Sequence, residues 1–556
     1  MAYVVTQSCC ADASCVVACP VNCIHPAPGE PGFATAEMLY VDAAACVGCG
    51  ACATACPVEA IKPETALTPE EQPFVGINAD YYACFPHADR RPLAVVPPQR
   101  RLADRGPRRV VVVGAGPAGL YTADELLKHP EVTVDVLDRL PTPYGLVRAG
   151  VAPDHPHTKK VEQLFRAVEE QPGFRYRLGV EVGRDLSLAD LEQHYDAVVY
   201  AVGASADRTL GIEGEDLPGS LSATEVVAWY NGHPDRVDLA VPLQACAASG
   251  RAVVVGNGNV ALDVARILTR DPAALARTDL AAVPWSALDR SPVREVVVLG
   301  RRGPADAAFT LPELVGLAGL VEAGELDVVV DTGGAALPGG GAPGGRKAEL
   351  LAELAARTPR PGLRRVVLRF HTRPVRVLGD ATTGVSGVEV ERDGVREVLE
   401  TGLLLRAIGY RGRPVADLPF DEATGTVPHA GGRVRPGLYV AGWVKRGPTG
   451  FIGTNKTCAE ETVASLLDDL DAGLPRAPRP TAALDALLRE RGARPVDLAG
   501  WRALDAEERR RGAARGRPRS KVVDVEEMHR LALAVPAAPE RRYPSVKELV
   551  GRLARS

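Results

Sequence analysis

Short apolar runs alternate with helix-like segments along most of the chain after residue 107. The clearest runs are residues 109–113, 132–137, 197–202, 252–255 and 295–299. Alternation of this kind is typical of parallel α/β units. Residues 364–410 contain several strand-like runs in succession, which favours a partly antiparallel section, and residues 460–556 are mostly helical in pattern. The pattern predicts an α/β protein built on parallel sheets.

The first 62 residues differ, because they hold nine of the 12 cysteines of the chain. Clustered thiols are more typical of metal ligands than of a disulfide framework when nothing indicates export. The N-terminus has no basic stretch followed by an apolar one, and no apolar run approaches the length of a membrane span. These features predict a cytoplasmic protein.

Length and net charge limit the number of domains and the kinds of binding partner. The 556 residues suffice for about three domains. The net charge of −5 comes without a basic, aromatic-lined face, which argues against nucleic acid as a partner. Residues 63–107 are rich in proline and show no sustained period, so they are predicted to be a linker, either flexible or wrapped on the cysteine-rich unit.

The cysteine spacing predicts iron–sulfur chemistry. The stretch Cys46-Val-Gly-Cys49-Gly-Ala-Cys52-Ala-Thr-Ala-Cys56-Pro57 fits C-x2-C-x2-C-x3-C-P, in which three thiolates hold one cluster and the fourth reaches another. An earlier run ending in Cys19 and Pro20 repeats this spacing, with Asp12 in place of the second cysteine. By pseudo-symmetry, one 4Fe-4S cluster is expected on Cys19, Cys46, Cys49 and Cys52, and a second cluster on Cys9, Cys15 and Cys56.

That second cluster lacks a fourth thiolate. It is either a 3Fe-4S cluster or a 4Fe-4S cluster whose labile iron binds Asp12 or a solvent oxygen, since a carboxylate is a harder ligand than a thiolate. The three-iron form is favoured. Cys10 and Cys23 are predicted to be thiols that bind no iron, with Cys10 as a ligand the alternative.

A first dinucleotide-binding fingerprint follows the strand-like run 109–113. Gly114-Ala115-Gly116-Pro117-Ala118-Gly119 is a G-x-G-x-x-G turn that leads into a helix, whose N-terminus faces a pyrophosphate. Asp138 ends the next run, where a carboxylate accepts from a ribose 2′-hydroxyl and repels a 2′-phosphate. This site is predicted to bind FAD or NAD rather than NADP.

A second fingerprint, Gly256-Asn257-Gly258-Asn259-Val260-Ala261, follows the run 252–255. Here the next run ends in Arg301 and Arg302 instead of an acid, after an apparent insertion at 270–293. Two guanidinium groups suit a 2′-phosphate, so this site is predicted to bind NADP(H). The fold is therefore expected to be two Rossmann-like dinucleotide-binding domains, preceded by a small α+β two-cluster domain.

Residues 107–556 resemble the ferredoxin–NADP reductases of the adrenodoxin-reductase type. The resemblance rests on both fingerprints and on the long segments 140–156 and 442–453. Residues 1–90 resemble the bacterial seven-iron ferredoxins, although the spacing between Cys9 and Cys15 is shorter than is usual there. The whole chain resembles the fused form. It is expected to have one ferredoxin unit at 1–62, a linker at 63–107, an FAD-binding domain at 108–250 and 405–556, and an NADP-binding domain at 251–404.

The resemblance implies an activity and further site residues. It implies hydride transfer between NADPH and FAD, then single-electron transfer to or from the clusters and external carriers such as ferredoxins or cytochromes. His155, Glu313 and Gly450 are implied near the nicotinamide. The residues implied against FAD are Leu146, Val182, Trp443, Gly450, Phe451 and Ile452.

Three other functions fit parts of this pattern. A disulfide reductase of the thioredoxin-reductase class would need a C-x-x-C pair, whereas the flavoprotein part has only Cys246 and Cys458. An electron-input subunit of a larger synthase would share nearly every motif and would differ in lacking activity alone. A binding module that has lost its flavin conflicts with the intact first fingerprint.

Overall fold

The computed structural model describes residues 2–535 except 94–99, 336, 338–344, 475 and 478. Its cysteine-rich unit is a small α+β arrangement of two similar halves. In each half a cysteine loop runs into a one-turn helix, so that Cys15 and Cys52 occupy equivalent helices. Two short antiparallel ladders, β1 with β4 and β2 with β3, frame the loops. The elements are β1 (Tyr3–Val5), α1 (Ser14–Ala18), β2 (Ile24–His25), β3 (Tyr40–Val41), α2 (Ala51–Ala55) and β4 (Ile61–Pro63).

The segment after this unit is not an unstructured linker. It contains the 12-residue helix α3 (Pro73–Cys84), which the proline-rich composition did not predict. Pro73 stands at the first helical position, where its missing N–H is no loss. The side chain of Asn78 accepts from the backbone N–H of Val5 at 3.2 Å and of Val41 at 2.9 Å. Helix α3 is therefore an integral part of the cysteine-rich unit.

The next segment forms most of the first dinucleotide-binding unit. Its strands carry valine-rich runs buried on both faces, as parallel strands covered by helices require. The elements are β5 (Arg108–Val113), α4 (Pro117–Leu127), β6 (Val132–Asp138), α5 (Leu146–Ala149), α6 (Glu162–Glu169), β7 (Phe174–Leu178), α7 (Leu188–His194), β8 (Ala197–Tyr200) and β9 (Ala206–Asp207).

The second dinucleotide-binding unit follows, and the stretch at 270–293 that the sequence marks as an insertion is helical. The elements are β10 (Ser220–Ser222), α8 (Ala223–Tyr230), β11 (Arg251–Val255), α9 (Asn259–Thr269), α10 (Pro272–Leu275), α11 (Ala282–Asp289), β12 (Glu295–Leu299), α12 (Leu311–Glu322), β13 (Asp327–Asp331), α13 (Gly345–Ala355), β14 (Arg365–Arg369), β15 (Arg373–Asp380), β16 (Gly384–Arg392), β17 (Val395–Glu400), β18 (Leu404–Arg406) and β19 (Tyr410–Arg411).

The last part of the chain returns to the first unit. Helix α15 packs on α4, and Trp501 meets Tyr144 edge-on at 5.6 Å between ring centroids. The guanidinium of Arg148 pairs with Glu508, whose side chain is fully buried. Residues 536–556, assigned to the FAD-binding domain from the sequence, lie outside the described residues. The elements are β20 (Arg433–Arg435), β21 (Leu438–Val440), α14 (Trp443–Arg446), α15 (Thr454–Asp471), α16 (Thr481–Glu490), α17 (Leu498–Ala513) and α18 (Val525–Ala532).

Two six-stranded sheets organise the flavoprotein part. The first has the order β20-β21-β8-β5-β6-β7 and is parallel apart from the β20–β21 pair. The second, β10-β18-β11-β12-β14-β13, is wholly parallel, and β15-β16-β17 form the expected antiparallel section. Strands β10 and β18 belong to the second sheet, which therefore begins at residue 220 and ends at residue 406. The NADP-binding domain predicted at 251–404 does not contain the whole of this sheet. Within the described ranges, no helix is both long and apolar enough to cross a membrane.

Candidate active site and cluster-binding loops

The first glycine-rich loop has the geometry of a pyrophosphate cradle. Gly114 has φ +111°, and a Cβ there would lie 2.5 Å from the carbonyl oxygen of Ala201, while a Cβ on Gly119 would overlap the oxygen of Gly114. Gly116 is different, because the nearest atom to its added Cβ is the Cα of Gly145 at 4.0 Å. Open space above Gly116, at the start of α4, fits a phosphate that approaches the backbone.

Asp138 lies directly beneath this loop. Parallel pairing sets Val113 beside Leu137, which brings the end of β6 to the glycine turn. The carboxylate accepts from the backbone N–H of Ala115 at 2.9 Å, and of Leu140 at 2.9 Å. Burial raises the pKa of Asp138 against the lowering effect of these donors. A further donor, such as a ribose hydroxyl, would stabilise this buried anion.

Side chains implied for the flavin collect around the same loop. Leu146 starts α5 immediately after Gly145 and is 40% exposed, so this apolar side chain is accessible to pack against a flavin ring. Val182 follows Val180, whose N–H donates to the carbonyl of Asp138 at 2.8 Å. Both side chains therefore belong to the edge of the sheet that carries the glycine loop.

The turn at residues 450–453 closes this region from the C-terminal part of the chain. Gly450 has φ +80°, and the N–H of Phe451 donates to the hydroxyl of Thr454 at 2.6 Å. Trp443 donates from its indole N–H to the carbonyl of Thr449 at 3.2 Å, which ties it to the same turn. Ile452 packs against the core of the first unit.

The second glycine loop repeats the cradle at the end of β11. Gly256 has φ +108°, and its added Cβ would overlap the carbonyl oxygen of Ala407, whereas Gly258 has nothing within 4 Å of its added Cβ. Asn259 starts α9 and accepts at its side-chain oxygen from the N–H of Thr310 at 2.8 Å. The amide of Asn257 lies against Gly300, where an added Cβ would be 2.7 Å from Nδ2.

Arg301 and Arg302 lie at the same edge of the second sheet. Val255 pairs with Leu299 in parallel register, so both strands end beside the glycine loop. Both arginines are exposed, and within the described part of the chain the guanidinium of Arg302 pairs only with Asp306, at 3.4 Å. Two available guanidinium groups beside a phosphate cradle fit an NADP 2′-phosphate.

Replacing both arginines by alanine is expected to raise the KM for NADPH roughly tenfold to a hundredfold, since a hydrogen bond to a charged group contributes about 1.5–3 kcal/mol. The KM for NADH should stay within about twofold, because NADH lacks the 2′-phosphate. Steady-state kinetics with both nucleotides measures the difference. Arg365→Ala, which changes an arginine at the opposite end of the sheet paired with Glu295, is the control. Equal losses with both nucleotides would count against the assignment.

His155 and Glu313 meet at the seam between the two dinucleotide-binding units. The imidazole Nδ1 of His155 lies 3.7 Å from Oε1 of Glu313, and burial raises the pKa of Glu313. Arg266 on α9 joins them, together with Asp154 and Asp263, and none of these three residues stands out in the sequence as a site residue. The sequence contains one indication of this group, because the three-residue spacing of Asp263 and Arg266 places both on one helix face.

The thiols of Cys9, Cys15 and Cys56 form one group with Asp12. The pKa of Cys9 is raised to about 11, mainly by burial and to a smaller extent by the nearby charges of Cys56 and Asp12. Burial likewise raises the pKa of Cys15, with added repulsion from Cys9 and Asp12. Buried thiols and a carboxyl group that oppose one another's ionisation would be stabilised by bound iron cations, so this group fits an iron–sulfur site. Cys10 is buried beside them.

The second group surrounds a separate small cavity in the same unit. Cys19, Cys46, Cys49 and Cys52 all line it, as does Cys23. Cys49 is exposed, whereas Cys19 and Cys52 are buried. The N–H of Cys23 donates to the sulfur of Cys19 at 3.4 Å, a contact typical of a neighbour that orients a ligand thiolate.

The cysteine-rich unit docks on both dinucleotide-binding units. The carbonyl of Cys10 accepts from the N–H of Gly453 at 2.8 Å, so its first cysteine loop lies on the 450–453 turn. Glu37 accepts from the N–H of Leu311, at the start of α12, at 2.7 Å and pairs with Lys347 at 3.2 Å. The docking brings the Cys9, Cys15 and Cys56 group toward the 450–453 turn and leaves Cys49 exposed.

Cys246 and Cys458 lie apart from this chemistry. Cys246 is buried in the core of the second unit, and Cys458 is buried on α15, where its sulfur accepts from Gly442 at 3.2 Å. The described flavoprotein part therefore holds no dithiol pair of the kind a disulfide reductase uses.

Known families match both parts of the chain. The pyridine nucleotide-disulphide oxidoreductase family matches residues 108–285, and the 4Fe-4S binding domain family matches residues 39–62. A probable ferredoxin/ferredoxin–NADP reductase of Mycobacterium tuberculosis (strain ATCC 25618 / H37Rv) is 52% identical over 98% of this chain and 97% of its own length. The human mitochondrial NADPH:adrenodoxin oxidoreductase is 44% identical over 76% of this chain and 91% of its own length.

Solved structures give the same result. Mycobacterium tuberculosis FprA in complex with NADPH is 41% identical, superposes with a TM-score of 0.72, and covers 77% of this chain and 100% of its own. Together with the two glycine cradles and the clustered thiols, these similarities establish the family and the enzyme class. The chain belongs to the ferredoxin–NADP reductases of the adrenodoxin-reductase type, FAD-dependent oxidoreductases, in the form that carries a ferredoxin unit at its N-terminus.

Proposed function

We propose that this chain exchanges electrons between NADPH and external one-electron carriers, such as ferredoxins or cytochromes, through two iron–sulfur sites of its own ferredoxin unit. One observation carries the proposal: the loop of Cys9, Cys10 and Asp12 lies on the 450–453 turn, beside the implied flavin site. FAD supplies the conversion between electron pairs and single electrons when bound. The fused unit is therefore built for direct exchange with the reductase.

Each part of the site has a task in the proposed function. The loop of Gly114, Gly116 and Gly119 holds the FAD pyrophosphate, and Asp138 holds its ribose. Arg301 and Arg302 select NADPH over NADH. Residues at the seam, His155 and Glu313, position the nicotinamide and exclude water from it.

The two thiol groups differ in what they hold. We assign a 4Fe-4S cluster to Cys19, Cys46, Cys49 and Cys52. The group of Cys9, Cys15 and Cys56 is assigned a 3Fe-4S cluster, because Asp12 occupies the place of the fourth thiolate. The hydroxyl and N–H of Ser14 both donate to Asp12, which supports a carboxylate already engaged within the loop.

A cytoplasmic location is part of the proposal. Its support is that the described cysteines are all free thiols, nine of them grouped as cluster ligands or their neighbours. The alternative of an electron-input subunit makes a different prediction about activity alone. The purified chain should reduce an artificial one-electron acceptor with NADPH and no added protein, whereas an input subunit would need its partner chain.

Asp12→Cys is expected to convert the three-iron site into a four-iron site, because it completes the C-x2-C-x2-C-x3-C-P spacing. Low-temperature EPR of the as-isolated wild type should show an oxidised three-iron signal, which the variant loses. On reduction, the variant should show two four-iron signals.

Cys10→Ser is the control, since its sulfur is assigned to no cluster, and the three-iron signal should persist in it. Two four-iron signals in the wild type would overturn the assignment of Asp12. Absence of both flavin absorbance and acid-labile sulfide from the reconstituted chain would overturn the function itself.

A further inference from the structure

Arg266 is a buried cation at the seam of the two dinucleotide-binding units, and neither glycine cradle uses it. It lies on α9, and its side chain is only 4% exposed. The ligand atoms of His155, Asp263 and Glu313 lie within 4.8 Å of one another, the spacing of a metal site. The cation among them is the guanidinium of Arg266, so the group is an arginine-centred cluster.

The first role of this guanidinium is to bridge the two units. Its Nε and Nη2 donate to the two oxygens of Asp154, at 2.7 and 3.1 Å, across the seam. Asp154 is almost fully buried and also pairs with Arg270 at 3.0 Å. Burial opposes ionisation of Asp154, but the charge and hydrogen bonds of Arg266, together with the charges of His155 and Arg270, outweigh it and hold the pKa well below its ordinary value.

A second set of contacts reaches the implied nicotinamide residues. Nη2 of Arg266 lies 2.7 Å from Nε2 of His155 and 2.6 Å from a carboxylate oxygen of Asp263. Nη1 lies 3.4 Å from Glu313. A guanidinium has donors and no acceptor, so at 2.7 Å the imidazole Nε2 presents its lone pair. The ring proton of neutral His155 is then on Nδ1, the nitrogen that faces Glu313.

From these contacts we infer that Arg266 is a positioning residue: it fixes the Nδ1–H tautomer of His155 and directs that N–H toward Glu313. The inference rests on the proposed function, in which these two side chains meet the nicotinamide. Arg266 itself does not contact the reacting atoms. It acts through His155 and Asp154, and so links the proton arrangement at the seam to the contact between the two units.

The test observes the tautomer directly. Holoprotein carrying 15N-labelled histidine is examined by NMR, with the His155 signals assigned through His155→Gln. The wild type should show a single Nδ1–H tautomer. The double variant Arg266→Met and Asp154→Asn removes the guanidinium donor. It also removes the carboxylate of Asp154, which would otherwise stay buried without its main partner. It should show a mixture of tautomers.

Two controls separate the tautomer from general damage at the seam. Asp154→Asn alone keeps Arg266, and Arg270→Lys alters the neighbouring partner of Asp154 without touching His155. Both should retain the wild-type tautomer. In NADPH-dependent ferricyanide reduction, the double variant should lose about tenfold in kcat, as misorientation of an active-site group does, with KM for NADPH within about twofold.

Arg266→Lys keeps the buried charge if the double variant does not fold. A single ammonium cannot reproduce the fork that reaches Asp154 and His155 together, so this variant should also show mixed tautomers. The inference is overturned if wild-type His155 carries its proton on Nε2, or if the folded Arg266 variants keep one unchanged Nδ1–H tautomer. Failure of the proposed function would appear separately, as a wild type whose flavin absorbance NADPH does not bleach.

Discussion

Gly116→Val is expected to give a folded protein that does not retain FAD. Gly116 has φ −78° and ψ −179°, extended backbone that valine adopts readily, and its added Cβ meets nothing closer than the Cα of Gly145 at an ordinary 4.0 Å. The valine side chain would fill the space through which a pyrophosphate approaches the N–H groups of the loop. Losing charge-assisted contacts of this kind weakens binding by about 3 kcal/mol or more. Flavin absorbance after purification, together with thermal unfolding, measures both parts of the expectation.

Gly258→Val is the matched variant in the second cradle. Its glycine has φ −87° and also has open space around an added Cβ. This variant should keep FAD and lose affinity for NADP+, measured by titration calorimetry. Gly114 would not serve for this purpose, because its φ and the nearby Ala201 carbonyl make any Cβ disruptive to the fold itself. If Gly116→Val retained a full complement of FAD, the first cradle would not be the flavin site.

Gly453→Val is expected to slow reduction of the ferredoxin unit by about tenfold or more, while NADPH bleaches the flavin at an unchanged rate. Gly453 has helical φ and ψ of −68° and −26°, so valine does not strain its own backbone. Its added Cβ would overlap backbone atoms of Ala11 and Asp12, which cannot turn aside as a flexible side chain would. The cysteine loop must then lift off the 450–453 turn. Stopped-flow absorbance at flavin and cluster wavelengths separates the two rates.

Gly319→Ala provides the control for this variant. It lies on α12 at the same docked face, but its added Cβ meets Glu70 at an ordinary 3.8 Å. Both rates should therefore stay at wild-type values. If Gly453→Val slowed neither step, close seating of the loop on the turn would not govern electron exchange. If it slowed flavin bleaching as well, the substitution would have disturbed the flavin site instead of the docking.

The glycine cradles, the Asp138 position and the cysteine groups were predictable because their chemistry is local in sequence. A glycine at positive φ, such as Gly114 or Gly256, and a thiolate spacing such as that of Cys46 and Cys49, are dictated by a few adjacent residues. Alternating apolar runs likewise predicted the parallel sheets and the antiparallel section. The sequence signals for these features lie in neighbouring residues, although the sheets themselves form only when distant strands pair.

Features that depend on distant contacts were not predictable in this way. Helix α3 has little amphipathic pattern of its own, and it is held by Asn78 and Tyr82 reaching two strands of the ferredoxin unit. Strand β10 joins the second sheet by pairing with β18, almost 200 residues later. Arg266 looks like an ordinary helical arginine until the fold brings Asp154 and His155 to it.

Ion pairs hold the connecting segment at both ends and limit the distance between the two redox parts. Arg90 pairs with Asp42 on the ferredoxin side at 2.8 Å, and Arg100 pairs with Asp468 on the reductase side at 2.7 Å. The ten residues from one anchor to the other span at most about 35 Å. A tether this short keeps each ferredoxin unit close to the reductase part of its own chain, and because both parts lie on one polypeptide they occur in a one-to-one ratio that dilution does not change. The two redox parts of this chain are therefore always synthesised in equal amounts.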